Sequence, residues 1–263
     1  MVFEKIPSIV GMVYAITAFF ILAYLFYKNK LNKKVGYLFL LISTIFGFMI
    51  FAPMFPNQIQ LLAVGDTSQL GGPAQIVGLI LLLFIVLTFV FGRIFCGYLC
   101  PIGAVQELAY NMPVKKLKLG NKKLSIVFHL LFFLAFIVLS VVFSIKILAY
   151  FGFRDFFYLN VMSLFFYAFL ILLILSVFVY RPFCRFFCPY GAVLSLVSIK
   201  SIFKFRRKDN CIDFKKCKAC EKECPTNEAG RSDLKQECYL CSRCRYACPV
   251  DAIGYNINKK EAK

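Results

Sequence analysis

Five apolar runs, each long enough to cross a hydrocarbon core of about 30 Å, constrain this chain more than any other feature. They cover residues 9–27, 35–51, 76–91, 124–150 and 156–180. Charged residues make up only 17% of the 263 and hydrophobic ones 60%, whereas a soluble domain is about 25% charged. The chain is therefore neither a soluble enzyme nor a disordered protein. The first run has no basic leader and no small-residue cleavage site, and Lys28, Lys30, Lys33 and Lys34 follow it. It reads as a span and not as a cleaved signal peptide.

Basic residues fix an expected orientation through the positive-inside rule. The 28–34 loop carries four Lys, the 93–123 loop carries Arg93 and five Lys, and residues from 181 onward carry 18 Lys or Arg. The alternate loop, 53–75, has none, and the turn near Phe153 has only Arg154 beside Asp155. The expectation is a multi-pass protein of the cytoplasmic membrane, N-terminus outside and C-terminus in the cytoplasm. The formal charge of +18 is accounted for by orientation and lipid headgroups. Nucleic acid is not an expected partner; membrane lipid and an acidic redox protein are.

Residues 92–108, GRIFCGYLCPIGAVQEL, and 180–196, YRPFCRFFCPYGAVLSL, are identical at nine of 17 positions. Each copy follows an apolar run and contains Cys-x3-Cys-Pro: Cys96 and Cys100, then Cys184 and Cys188. On a continued helix a spacing of four would align both sulfurs on one face. The proline disfavours helix for the residue before it, so Cys100 and Cys188 are expected to leave the helix. Either geometry lets the paired copies gather four thiols at the membrane rim, as a redox site, a soft-metal site or a third iron–sulfur centre. The alternative is four small apolar side chains packed at helix ends.

From about residue 200 hydrophobicity falls. Residues 203–208 read as a basic linker into a Cys-dense tail. Cys238, Cys241, Cys244 and Cys248-Pro249 follow the bacterial ferredoxin spacing, in which the fourth Cys ligates the other cluster. A second copy has Cys217, Cys220 and Cys224-Pro225, with Phe214 at the first position and Cys211 three residues upstream. By ferredoxin exchange, cluster 1 would take Cys211, Cys217, Cys220 and Cys248. Cluster 2 would take Cys224, Cys238, Cys241 and Cys244. Both would be [4Fe–4S], or the first [3Fe–4S] if Cys211 does not reach. Zinc is the structural alternative, but ribbons use two separated Cys pairs. Ile212, Ile253 and Tyr255 are the expected apolar wrapping. The fold class is thus membrane all-α with about five helices (1–199), then a small α+β ferredoxin-like domain (200–263).

His129, the only histidine, falls inside the fourth run. It is either a quinone-site candidate or a buried histidine bonded to a neighbouring backbone or hydroxyl group. Lys146 is expected to snorkel from the same span. Glu107 is either a proton acceptor or part of an amphipathic rim helix. Asp66 and Gly71-Gly72-Pro73 read as turn chemistry, and the Arg154–Asp155 pair as a turn beside the membrane. No dinucleotide fingerprint, P-loop or nucleophile triad is present, so catalytic residues stay unassigned.

The duplicated 92–108 and 180–196 motif, followed by two ferredoxin motifs, resembles the NapH/NosR/CcoG-type membrane iron–sulfur proteins over residues 75–256. The resemblance implies membrane electron transfer, often from quinol, to a redox partner through two [4Fe–4S] clusters. It also implies that the Cys-x3-Cys-Pro elements face the cytoplasm. The chain departs from these proteins in lacking an outer flavin-binding domain and an immunoglobulin-like extension, and in its displaced Cys211. Two other functions follow from the same residues. One is a copper-handling reductase using the rim thiols; the other is a non-catalytic membrane anchor or assembly subunit.

Overall fold

The computed structural model describes residues 6–51, 54–66, 70, 73–117, 122–208, 211, 217–230 and 235–257. The helices are α1 (Ile6–Tyr27), α2 (Lys33–Ile50), α3 (Phe55–Val64), α4 (Ala74–Phe91), α5 (Pro101–Tyr110), α6 (Lys122–Val141), α7 (Phe153–Phe157), α8 (Leu164–Phe178), α9 (Pro182–Phe186) and α10 (Pro189–Ser198). The tail adds β1 (Phe203–Arg207), α11 (Ala219–Glu223), α12 (Arg243–Tyr246) and β2 (Ile253–Ile257). Helices α1, α2, α4 and α6 are long and apolar enough to cross a membrane. Their outward faces carry Met49, Leu79, Leu124 and Leu131, all exposed, as suits lipid contact.

The fourth and fifth expected spans are shorter than their apolar runs. Helix α6 stops at Val141, and α8 has 15 residues, ~22 Å of helix against a core of about 30 Å. Between them lie a 3₁₀ turn (Ile147–Phe151) and α7. Gly152 makes the break: its φ is +65°, and a Cβ there would stand 1.8 Å from the Phe165 carbonyl oxygen. No other residue fits a left-handed turn at that approach. The rings of Phe153, Phe156, Phe157 and Phe169 fill the space beside it, with Phe156 and Phe169 centroids 4.7 Å apart. Lys146 lies outside the helix and pairs with Asp66, so it does not snorkel from a span.

A second correction concerns depth. The Cys-x3-Cys-Pro segments do not stop at the ends of α4 and α8; each turns back into the bundle as a re-entrant hairpin. In the second, the Tyr190 hydroxyl donates to the Leu81 carbonyl at 3.0 Å, and Leu81 is ~15 Å up α4 from Phe91. In the first, a Cβ on Gly47 would meet Pro101 at 2.7 Å, and Gly47 is ~21 Å along α2 from Lys33. Helix α3, expected as loop, enters from the opposite face. Its Phe55 stacks on Phe95 at 4.4 Å and meets Phe84 edge-on at 4.8 Å. Non-helical backbone survives at such depth only inside protein, and both hairpin apices are buried.

The tail is docked on this bundle. Strands β1 and β2 pair antiparallel, Phe205 opposite Tyr255, so residues 203–207 form a strand where a linker was expected. Both rings pack on Phe26 of α1, with centroids 5.8 and 5.4 Å away. The Tyr255 hydroxyl donates to the Phe91 carbonyl at 2.6 Å. Burial of Ile253 and Tyr255 agrees with the wrapping expected of them; Ile212 lies outside the described residues. Arg245 and Tyr246 of α12 donate to the carbonyls of Asn29 and Leu31, placing the 28–34 loop and the tail on one face.

Candidate metal centre

Each Cys-Pro step ends one helical piece and starts the next. Cys100 (φ −71°, ψ 119°) and Cys188 (φ −85°, ψ 109°) are extended and cap α5 and α10, as the following prolines require. Cys96 lies in a π-helical turn, Phe95–Leu99, and Cys184 in α9. All four thiols are buried and line one small cavity of about 10 Å³ together with Arg93 and Pro56. The structure places the thiols of both copies around one shared cavity, deeper than the rim where they were expected.

The hairpins interlock through the residues they share. The Arg93 Nη2 donates to the Gly191 carbonyl of the other copy at 3.2 Å. Reciprocally, Arg181 donates to the carbonyls of Cys96 and Gly97 and pairs with Glu107 at 2.8 Å. The Gln106 amide bridges as well: its oxygen accepts from the Phe183 N–H at 3.1 Å, and its nitrogen lies 3.6 Å from the Cys184 sulfur. Glu107 is buried and also holds Arg243 of the tail. It is a clamp between two guanidiniums, neither a free proton acceptor nor part of an exposed amphipathic face.

The tail loop 236–242 inserts between the two copies. Tyr239, next to Cys238, donates its hydroxyl to the Cys184 carbonyl at 3.2 Å, and its ring lies 4.2 Å from Arg93 and 5.1 Å from Arg181. Tyr98 donates to the Leu240 carbonyl at 3.2 Å. Arg185 pairs with Glu237 at 2.9 Å, Ser125 donates to Glu237, and the Glu237 N–H donates to Glu228. His129 is buried with Nε2 2.9 Å from the Cys188 carbonyl, the backbone-bonded alternative of the two considered. Tyr239 and Arg185 were not singled out in the sequence. One available signal was position 97, where the first copy has Gly and the second has Arg185.

Among the tail thiols, Cys224, Cys238, Cys241 and Cys244 lie within one another's electrostatic reach. Burial pushes Cys238 up to about 12, with Cys224 and Cys241 adding to the rise. Burial also raises Cys241, with Cys224 adding, and lifts Cys244 well above the ordinary thiol range, helped by Cys241, Cys238 and Cys224. Cys244 feels Cys220 of the other set too. Burial works to lower Arg207, yet Cys220, Glu221 and Cys211 hold it above its usual value. Cys211 is thus on the same side as Cys220, whose sulfur lies 3.4 Å from Arg207 Nη2. Cys217 and Cys248 are half-buried; Phe214 lies outside the described residues.

Backbone N–H groups point at sulfur: Glu228 at Cys224 and Ala252 at Cys248, both at 3.2 Å. All-thiol donors with N–H bonds to sulfur suit an iron–sulfur cluster. Among the described residues no three His, Cys, Asp or Glu side chains converge as the ligands of one ion do. Beside Cys241, a cavity of about 430 Å³ opens between α2, α5 and α12, lined by Tyr37, Tyr98, Glu107 and Arg243.

The family described as "4Fe-4S binding domain" matches residues 73–120 and 162–208, the two hairpin copies with β1 but not the Cys-rich part of the tail. Uncharacterized protein MJ0750 of Methanocaldococcus jannaschii is 37% identical over 196 residues, 69% of this chain and 79% of its own length. YccM of Escherichia coli, whose name assigns it to electron transport, is 29% identical over 231 residues, 74% of this chain and 60% of its own. Regulatory protein NosR of Pseudomonas aeruginosa is 30% identical over 211 residues, 69% of this chain but 28% of its own. No solved structure gives a significant match. With the duplicated hairpins and the Cys-rich tail, these matches make the chain a member of the NosR- and YccM-related family of membrane 4Fe–4S proteins.

Proposed function

We propose that the protein transfers electrons between a donor at the membrane, quinol being one candidate, and a redox partner on the cytoplasmic side. Two tail clusters take part, ligated by Cys211, Cys217, Cys220 and Cys248 and by Cys224, Cys238, Cys241 and Cys244. Bound clusters of this kind supply one-electron acceptance and donation. The observation that carries the reading is the insertion of loop 236–242 between the hairpins, which seats Cys238 one residue from Tyr239 and its bond to Cys184.

The chain's own residues hold and shield the site. Tyr255 and Ile253 exclude water on the strand side, and Arg243, clamped by Glu107 and Asn111, fixes α12 beside Cys241. The large cavity at Cys241 gives a small donor or a partner's side chain an approach to that thiol. Its volume lies in the range of small-molecule sites, about 300–1,000 Å³.

The test is iron, acid-labile sulfide and EPR on anaerobically purified full-length protein, with Cys241→Ser beside it. The variant is expected to lose one cluster signal and electron throughput while still inserting in the membrane. Zinc in place of iron, or throughput unchanged in Cys241→Ser, overturns the reading.

A further inference from the structure

Orientation in the bilayer accounts for the number of lysines in the 28–34 loop, but not for where the tail holds them. Arg245 and Tyr246 of α12 grip the Asn29 and Leu31 carbonyls, so the loop is fastened along one edge of the tail. Lys28, Lys30, Lys33 and Lys34 stay exposed along that joint. Lys33 also stands in the wall of the cavity of about 430 Å³ that leads to Cys241, together with Tyr37, Tyr246 and Glu223. Lys222, exposed as well, precedes Glu223 in α11. The loop and the wall thus bring five exposed lysines to one edge, with Glu223 as the exposed carboxylate in the wall. Glu107, the other carboxylate there, is already held by Arg181 and Arg243. Within the wall, Arg243 keeps one nitrogen, Nη1, buried and without an acceptor, and Arg245 Nη1 two residues on is in the same condition. A buried donor without a partner is costly, and a carboxylate entering from outside would supply Arg243 with the missing acceptor. Tyr246 is 44% exposed, an aromatic anchor inside a charged rim, as protein interfaces have.

We propose that this edge is the docking surface for a small acidic redox protein, whose carboxylates meet the lysine rim and reach Arg243 in the cavity beside Cys241. The inference rests on the electron-transfer reading and gives its redox partner a chemistry. A lysine rim steers an acidic partner to this edge by long-range attraction and turns a basic one away. Anionic lipid would satisfy the loop lysines in the plane of the headgroups. It leaves unanswered the part of the cavity wall that the tail supplies, Cys241, Arg243 and Tyr246.

The test uses full-length protein, purified anaerobically in phosphatidylcholine nanodiscs, with an acidic plant-type ferredoxin as the probe and basic cytochrome c as its opposite. Ferredoxin is expected to bind, about tenfold more weakly as salt rises from about 0.02 to 0.2 M, and cytochrome c is not. Lys30→Glu/Lys34→Glu is expected to lower ferredoxin affinity about tenfold and to flatten its salt dependence. Lys123→Glu, at the head of α6, which packs on α3, α9 and α10, is expected to keep the parent's affinity. If the double variant does not insert, a footprint of the parent with an amine reagent carries the test: ferredoxin is expected to protect Lys30 and Lys34 and to leave Lys123 reactive. Protection of Lys30 and Lys34 by phosphatidylglycerol and not by ferredoxin assigns them to lipid and overturns the inference. Equal binding of the two probes, or an equal loss in Lys123→Glu, overturns it too. No ferredoxin binding to protein with intact iron–sulfur signals overturns this inference alone, whereas a chain without iron overturns the electron-transfer reading beneath it.

Discussion

At position 97 the first repeat has glycine where the second has Arg185, and the tail decides why. A Cβ on Gly97 would stand 2.4 Å from the Tyr239 carbonyl oxygen, a backbone atom that cannot swing aside. Gly97→Ala should therefore push loop 236–242 out, at a cost of about 1–3 kcal/mol, and perturb the cluster proposed at Cys238 and Cys241 first. Gly78→Ala, on α4 where nothing lies within 4 Å, should be neutral or slightly stabilising. Thermal denaturation followed through the visible cluster absorbance separates the two; equal losses would refute the contact. The tail thiols give a pH dependence of definite sign. Burial raises Cys220, Cys238, Cys241 and Cys244, Cys238 to about 12, so their protonated form is favoured in the folded chain. Cluster binding must remove those protons. Reloading of iron and sulfide into depleted protein should accordingly fall as pH drops from about 8.5, the ordinary thiol value, toward 6. Loading that is flat over this range would contradict it.

Helix α5 shows what a sequence pattern conveys and what it hides. The duplication, the extended Cys-Pro steps and the gathering of four thiols were all legible, because proline geometry and repeat symmetry are local properties. The re-entrant turn was not, since an apolar segment of ten residues reads alike at a membrane edge or halfway across. Helix α3 was hidden for a related reason: its loop lacks basic residues and was read as turns, and its only start signal is Pro56. Gly152 explains the overlong fourth and fifth runs, whose far ends are apolar because they pack on phenylalanines and not because they continue as helix. Glu107 belongs to this scale, since one carboxylate ties α5 to α9 through Arg181 and to α12 through Arg243. Glu107→Gln leaves the buried Arg181 and the half-buried Arg243 without their anion and should cost about 3–5 kcal/mol. It should also release the tail to limited proteolysis before the helices unfold. A variant with parent-like stability would mean that the clamp is dispensable.

For the whole molecule, the placement of charge and the placement of thiols make one argument. The 28–34 loop touches α12, so Lys28, Lys30, Lys33 and Lys34 share a face with Lys218 and Lys222 of the tail. Lys146, paired with Asp66, belongs to the face from which α3 enters. The proposed topology puts the lysine-rich face in the cytoplasm by the positive-inside rule, a compartment in which thiols are kept reduced. The hairpins carry Cys100 and Cys188 from that face toward the middle of the bilayer, and Tyr239 joins the tail to their base. An arrangement of this kind brings redox-capable groups from water to membrane depth without any domain having to move. It requires the two lysine sets to be on opposite sides. A membrane-impermeant amine reagent applied to sealed right-side-out vesicles should modify Lys146 and spare Lys30, Lys34, Lys218 and Lys222. Inverted vesicles should give the reverse pattern. Modification of Lys146 and Lys218 from the same side would break the topology and the cytoplasmic placement of the tail with it, whereas a clean but reversed pattern would keep the fold and turn the molecule over.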